Sequence, residues 1–213
     1  EDLYELSSFF PLNIDDPKLR EYIDHHISHL QKCHENSLYS SGYPHLHILY
    51  MAFVYFQLLR IANEKKEEFK YCWIGLPSQE KDFLKNPTHP FSFSPIPEKS
   101  VFRFFRLVDF DDGTIANISA LVKDRNNNLH ASGEIACATD VQFAKQLNEY
   151  TSKMSFIIEK QGCFLDEIYQ KTVATFDEDY EMTDDDVLLS FGSFSEFELK
   201  ILTTNKSDKI SKY

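Results

Sequence analysis

The chain has 213 residues, 42% of them hydrophobic and 15% aromatic, with only 6 glycines and a formal net charge of −12. That is enough for one domain with a sizeable core, or one domain with a tail, and the scarcity of glycine argues against a loop-rich all-β fold. The charge excludes a broad basic footprint for nucleic acid, but it is unevenly placed: eleven acids stand against Lys171 alone between Asp166 and Glu198.

In chain order, residues 1–15 read as an irregular lead-in. Asp15 or Asp16 suits a helix cap and Pro17 suits the first turn, so a first helix is predicted from there to about Leu38. SSGYP at 40–44 is a loop signal. A second helix, from about His45 to Phe69, is apolar on nearly every face (HLHILYMAFVYFQLLRIA), which suits the centre of a bundle. Pro77, Pro87, Pro90, Pro95 and Pro97 rule out a long helix over 71–100, which reads as an ordered insertion with short elements. Helical character resumes near Ser100–Leu107. A break at Asp111–Gly113 precedes a third helix with the stripe Ile115, Ile118, Leu121 and Val122, ending near Gly133. A fourth, long helix is predicted over about Thr139 to Val173, with a bend near Gly162. Beyond Phe176 comes an acidic segment. Phe197, Leu199 and Ile201 then alternate with charged residues in a strand-like pattern that a short helix also fits, and the last residues read as frayed. The expected fold is therefore mainly α: an up-and-down bundle of four main helices over residues 1–176, with a Pro-rich insertion at about 71–100. An acidic appendage and tail over 177–213 completes it.

No run of eighteen apolar residues is present, so no membrane span is expected. The N-terminal EDLYELSSFF is acidic, unlike a secretory signal. Cys33, Cys72, Cys137 and Cys163 are scattered without a Cys-x-x-Cys pair, which fits reduced thiols and a cytoplasmic location.

The most informative stretch is Lys123–Gly133, KDRNNNLHASG. Arg125 is followed at once by Asn126, His130 comes four residues after Asn126, and Ala131, Ser132 and Gly133 are small. This pattern, Arg-Asn-x-x-x-His at the end of an amphipathic helix, resembles the active-site motif of the HEPN superfamily of helical ribonucleases. Arg20 with His25 reproduces the bare spacing in the first helix. What marks Arg125 is therefore Asn126, the helix leading in and the small residues after His130. The resemblance implies metal-independent RNA cleavage with no cofactor, in a toxin or anti-phage defence effector. In such a reaction the ribose 2′-OH attacks the adjacent phosphate. His130 would handle the proton, since histidine titrates near neutrality. Arg125 would stabilise the developing phosphorane charge with its planar fork, and Asn126 would orient the histidine or a phosphate oxygen. The resemblance also implies a homodimer, with Arg125 and His130 of each chain lining a shared cleft. The acidic segment is a candidate docking site for an antitoxin or a larger effector subunit.

Two other readings compete. The Asn-rich RNNNLHASG could simply terminate a helix, with Arg125 paired to an acid, in a non-catalytic helical interaction protein. Alternatively, His25, His29 and Cys33 recur at i, i+4 and i+8 along one stripe of the first helix, a spacing open to a metal such as zinc in a metal-dependent enzyme. A structural role for that stripe competes with it.

Overall fold

The computed structural model of the protein describes residues 2–72, 82, 84–129, 137–176 and 183–210. It is mainly α-helical, a helical bundle with no named strand among the described residues. The lead-in is more ordered than its sequence suggests. A short helix α1 (Asp2–Glu5) runs into a 3-10 turn at Leu6–Phe9, because Leu6 and Phe9 bury fully against the bundle.

Helix α2 (Pro17–Glu35) starts where expected. The Asp16 side chain accepts from the amides of Lys18 and Leu19 at 2.9 and 3.4 Å, and Pro17 sits where no amide is needed. Its inward stripe is Leu19, Ile23, His26 and Leu30. The chain turns through Ser37, in the left-handed region at φ 57°, into α3 (Tyr39–Glu64). This helix begins earlier than expected, with SSGYP inside it: Pro44 sits in its second turn and forgoes one rung of the hydrogen-bond ladder, a cost offset by burial of the flanking Tyr43 and Leu46. The close α2–α3 packing also needs Gly42. A Cβ there would lie 3.1 Å from Phe143 and 3.2 Å from the Cys33 Cβ.

By length and composition α3 could cross a membrane, but 72% of its most apolar window is buried inside the protein. It is the central helix, packed against α2 and, later in the chain, the helices of the second half. It breaks at Lys65, and α4 (Lys66–Tyr71) follows. The Pro-rich segment carries a 3-10 turn at Pro90–Phe93, the one-turn α5 (Glu98–Val101) and a 3-10 run at Phe102–Val108. Phe93, Val101, Phe102, Phe104 and Phe105 are fully buried there, so this segment completes the core.

Asp111 accepts from the Thr114 amide at 2.7 Å and starts α6 (Asp112–Leu129). Thr139 and Gln142 form a reciprocal cap on α7 (Asp140–Lys160). The expected bend falls at Gln161, after which α8 (Gly162–Val173) begins.

The C-terminal part differs most from its sequence reading. Thr183 and Asp186 cap α9 (Asp184–Phe191), and the strand-like pattern at 197–201 belongs to α10 (Glu196–Ile210). The Ser195 hydroxyl accepts from the Glu198 amide at 3.1 Å while Glu198 accepts from the Ser195 amide at 2.9 Å. That reciprocal cap decides for helix. Phe191, Phe194, Glu198 and Leu202 are buried in the bundle, and the Leu12 and Asn13 amides donate to Phe194 and Gly192 carbonyls. The stretch from Phe191 to Leu202 is thus tied into the core rather than hanging from it. Residues 177–182, the first part of the acidic segment, lie outside the described residues.

Candidate functional site

Arg125 lies near the C-terminal end of α6, and one guanidinium amine donates to Glu98 Oε2. Glu98 comes from α5, the turn closing the Pro-rich segment. The same Oε2 also meets His47 Nε2 at 3.1 Å. His47 is buried on α3, and its Nδ1 is 3.0 Å from the Tyr150 hydroxyl of α7. Four elements therefore converge on one chain of polar groups: Tyr150, His47, Glu98 and Arg125. A carboxylate only accepts, so Glu98 requires the Nε2 proton of His47. In the neutral ring Nδ1 is then the acceptor for the Tyr150 hydroxyl.

Burial alone would push the Glu98 carboxyl up. The hydrogen bonds and charges of His47 and Arg125 outweigh it and hold the group below the usual carboxylate range. Tyr150 moves the other way: burial, reinforced by Tyr43, keeps its hydroxyl protonated far beyond neutral pH. Arg125 is three-quarters buried, and its Nε is a buried donor with no partner among the described residues. An unsatisfied buried donor costs about 1–3 kcal/mol, so the guanidinium is anchored but not fully used.

Asn126 shares α6 with Arg125, but its side chain, and all of His130, lie outside the described residues. Sequence reasoning pointed at Arg125 and missed its partners. Glu98 and His47 are 27 and 51 positions from their respective partners in the network, and neither belongs to a local motif. The available signal was a histidine among the apolar residues Leu46, Ile48 and Leu49 of the central helix.

A cavity of about 630 Å³ opens beside this network, between α2, α3 and the Pro-rich segment. Leu19, Tyr22, Met51, Tyr55 and Phe91 form much of its wall, and His47 and Glu98 supply polar groups. The Tyr22 and Phe91 rings meet edge to face at 5.0 Å, as do Tyr55 and Phe91 at 5.9 Å. Burial first, then the Glu98 charge, pushes the Tyr55 hydroxyl up to about 12, so it remains a donor at neutral pH.

The histidine stripe is organised differently from its sequence spacing. His25 and His29 do meet, with ring centroids 4.1 Å apart and planes tilted by 33°. The inward residue, however, is His26, whose Nδ1 is 2.8 Å from Nδ1 of His45 on α3. So short a contact between two ring nitrogens needs one to be bare, which requires at least one neutral ring. Burial and the three neighbouring histidines lower the His26 pKa to about 4. Cys33 lies one turn further along, against the site of Gly42. Among the described residues no group of three or more His, Cys, Asp or Glu side chains is disposed to hold a metal ion.

No family model matches this chain, and no curated protein or solved structure matches it significantly.

Proposed function

We infer that the protein is a metal-independent endoribonuclease of the HEPN kind, acting as a toxin or anti-phage defence effector. The observation that carries this reading is the state of Arg125. The residue on which the motif rests is a cation anchored by Glu98 at the end of α6, with a quarter of its side chain still exposed. A phosphate oxygen is a natural acceptor for the exposed part of such a guanidinium fork. Glu98 and His47 position Arg125, and Arg125 with His130 does the chemistry: the guanidinium stabilises charge on the phosphorus oxygens while the imidazole transfers the proton. A homodimer that pairs two motifs across one cleft belongs to the same reading. So does a cytoplasmic location, and docking of an antitoxin or effector subunit on the acidic segment. The net charge of −12 confines RNA contact to that local cleft.

The test is incubation with total cellular RNA in a strong chelator, comparing the wild type with Arg125→Ala and His130→Ala and mapping the cut ends. Both variants should fold and lose cleavage, and the wild-type ends should be cyclic phosphates. Wild-type cleavage by either folded variant overturns the assignment.

A second reading is favoured by the same ion pair. Glu98 already neutralises Arg125, as expected of a helical interaction protein in which the motif is structural. Intact RNA together with a folding defect in Arg125→Ala selects that reading.

A further inference from the structure

The cavity beside Glu98 has the size of a small-molecule site, and its chemistry is selective. Its apolar wall combines the aliphatic Leu19, Ile48 and Met51 with three aromatic rings, Tyr22, Tyr55 and Phe91, that suit a flat ligand. Two carboxylates line it, and Asp16 is already engaged by the Lys18 and Leu19 amides and by His89, which leaves Glu98 as the carboxylate for a ligand. A carboxylate has about four acceptor positions. The two bonds from His47 and Arg125 both fall on Oε2, which leaves Oε1 with two. A ligand that fits must be planar and must present adjacent N–H donors on one edge.

We propose that this cavity binds a guanine base, with Glu98 Oε1 accepting from the N1–H and exocyclic N2–H₂ groups of its Watson–Crick edge. The other bases fit the edge less well. Adenine turns the bare N1 toward the carboxylate, cytosine turns the bare N3, and uracil has one N–H flanked by two carbonyl oxygens. The Tyr55 hydroxyl on the same wall complements the O6 carbonyl, and Lys18 lines the cavity as a cation for phosphate. Unstacked bases are held in this way elsewhere, between aromatic rings with their edge read by hydrogen bonds.

Guanine could arrive as a free nucleotide or as one unpaired residue of RNA. Because Glu98 joins the cavity to Arg125, an RNA guanine would lie beside the motif. That extension rests on the nuclease reading, whereas the binding itself does not.

The test titrates the full-length His130→Ala protein with GMP and AMP by calorimetry. It then uses a hexamer of adenosines against the same hexamer carrying one central guanosine. GMP is expected to bind about tenfold or more tighter than AMP, the size of a two-bond edge contact. Tyr22→Ala, which touches neither Arg125 nor His47, is expected to weaken GMP about tenfold through lost stacking. Glu98→Gln should abolish the preference, with thermal melting reporting whether it folds. A guanosine preference in the hexamers alone identifies RNA as the source, and one in the mononucleotides alone identifies free nucleotide. No guanine preference in either arm, no binding in either arm, or an unchanged affinity of the preferred guanine ligand in Tyr22→Ala overturns the proposal. Guanine binding without any RNA cleavage by the wild type leaves the proposal standing and removes the nuclease reading.

Discussion

Arg60 of α3 grips both carboxylate oxygens of Glu198, at 2.6 and 3.0 Å, across 138 positions of sequence. Glu198 is completely buried. Its remaining acceptor capacity is filled by Gln57 Nε2 at 2.8 Å and the Ser195 amide at 2.9 Å. The Arg60 guanidinium also lies 5.1 Å over the Phe194 ring. One carboxylate therefore caps α10 and clamps it to the central helix.

Removing that carboxylate strands a nearly buried arginine, a glutamine amide and a backbone amide together. Breaking such a pair from one side costs about 3–5 kcal/mol. Glu198→Ala should lose that much in urea unfolding followed by circular dichroism, with α10 released first. A loss below about 1 kcal/mol would show that the clamp does not hold the C-terminal helices.

The histidine cluster predicts a pH dependence. His26 has a folded pKa of about 4, below the ordinary 6.5, through burial first and then the charges of His45, His25 and His29. A histidine with a lowered folded pKa favours the neutral form, so the unfolded chain binds more protons between those values. Its contribution is complete above about pH 6.5 and is lost as pH falls toward 4. Discounted for solvent around the exposed His25 and half-buried His29, the total is on the order of 2 kcal/mol. Chemical unfolding between pH 7 and 4.5 should show this slope, and His26→Phe should flatten it. A slope unchanged by the substitution would place its origin elsewhere.

Local rules read much of this fold correctly. Asp16 with Pro17, Asp111, Thr139 and Gly162 each mark a boundary by backbone chemistry within a few residues, and each boundary is where the sequence puts it. The alternation at Phe197, Leu199 and Ile201 misled, because period 2 over five residues is also compatible with one face and a half of a helix. The Ser195-x-x-Glu198 cap was the better signal. Glu198 itself gives no hint of burial, since its partner Arg60 lies on another helix. The same limit hid His47 and Glu98, whose meaning comes only from packing α3 against the Pro-rich segment. In the histidine stripe, the 3.6-residue period of Leu19, Ile23 and Leu30 already singled out His26 as the inward member, while the i, i+4 spacing drew attention to His25 and His29.

Gly42 sets how closely α3 approaches α2 and α7. A Cβ would meet Phe143 at 3.1 Å, Cys33 at 3.2 Å and Leu30 at 3.4 Å. Helix propensity alone would favour alanine by about 1 kcal/mol, so the steric effect has to exceed that gain to show. Overpacking costs about 1–3 kcal/mol. Gly42→Ala is therefore expected to be neutral to mildly destabilising, and Gly42→Val clearly destabilising, by thermal melting. A rise in melting temperature for Gly42→Val would mean that the three helices are not in contact there.

Arg125 and Glu98 separate anchoring from chemistry. Arg125→Lys keeps the charge and can still reach a carboxylate, but it lacks the planar fork and the Nε donor. If the Arg125 fork serves a phosphate, Arg125→Lys should remain within about 1 kcal/mol of wild-type stability while RNA cleavage falls about a hundredfold, the usual effect of removing one charge-stabilising donor. Glu98→Gln tests the anchor. Because the Glu98 carboxyl is held below its ordinary range by His47 and Arg125, its contribution to stability is present above the ordinary value near 4.5 and is lost as pH falls below it. Glu98→Gln should remove that acid-side loss and lower stability at neutral pH. The two substitutions combined should cost less than their separate effects added, since they share one bond. If Arg125→Lys cleaves RNA at the wild-type rate, the fork is not used on phosphate, and the Arg125–Glu98 pair is a structural clamp at the end of α6.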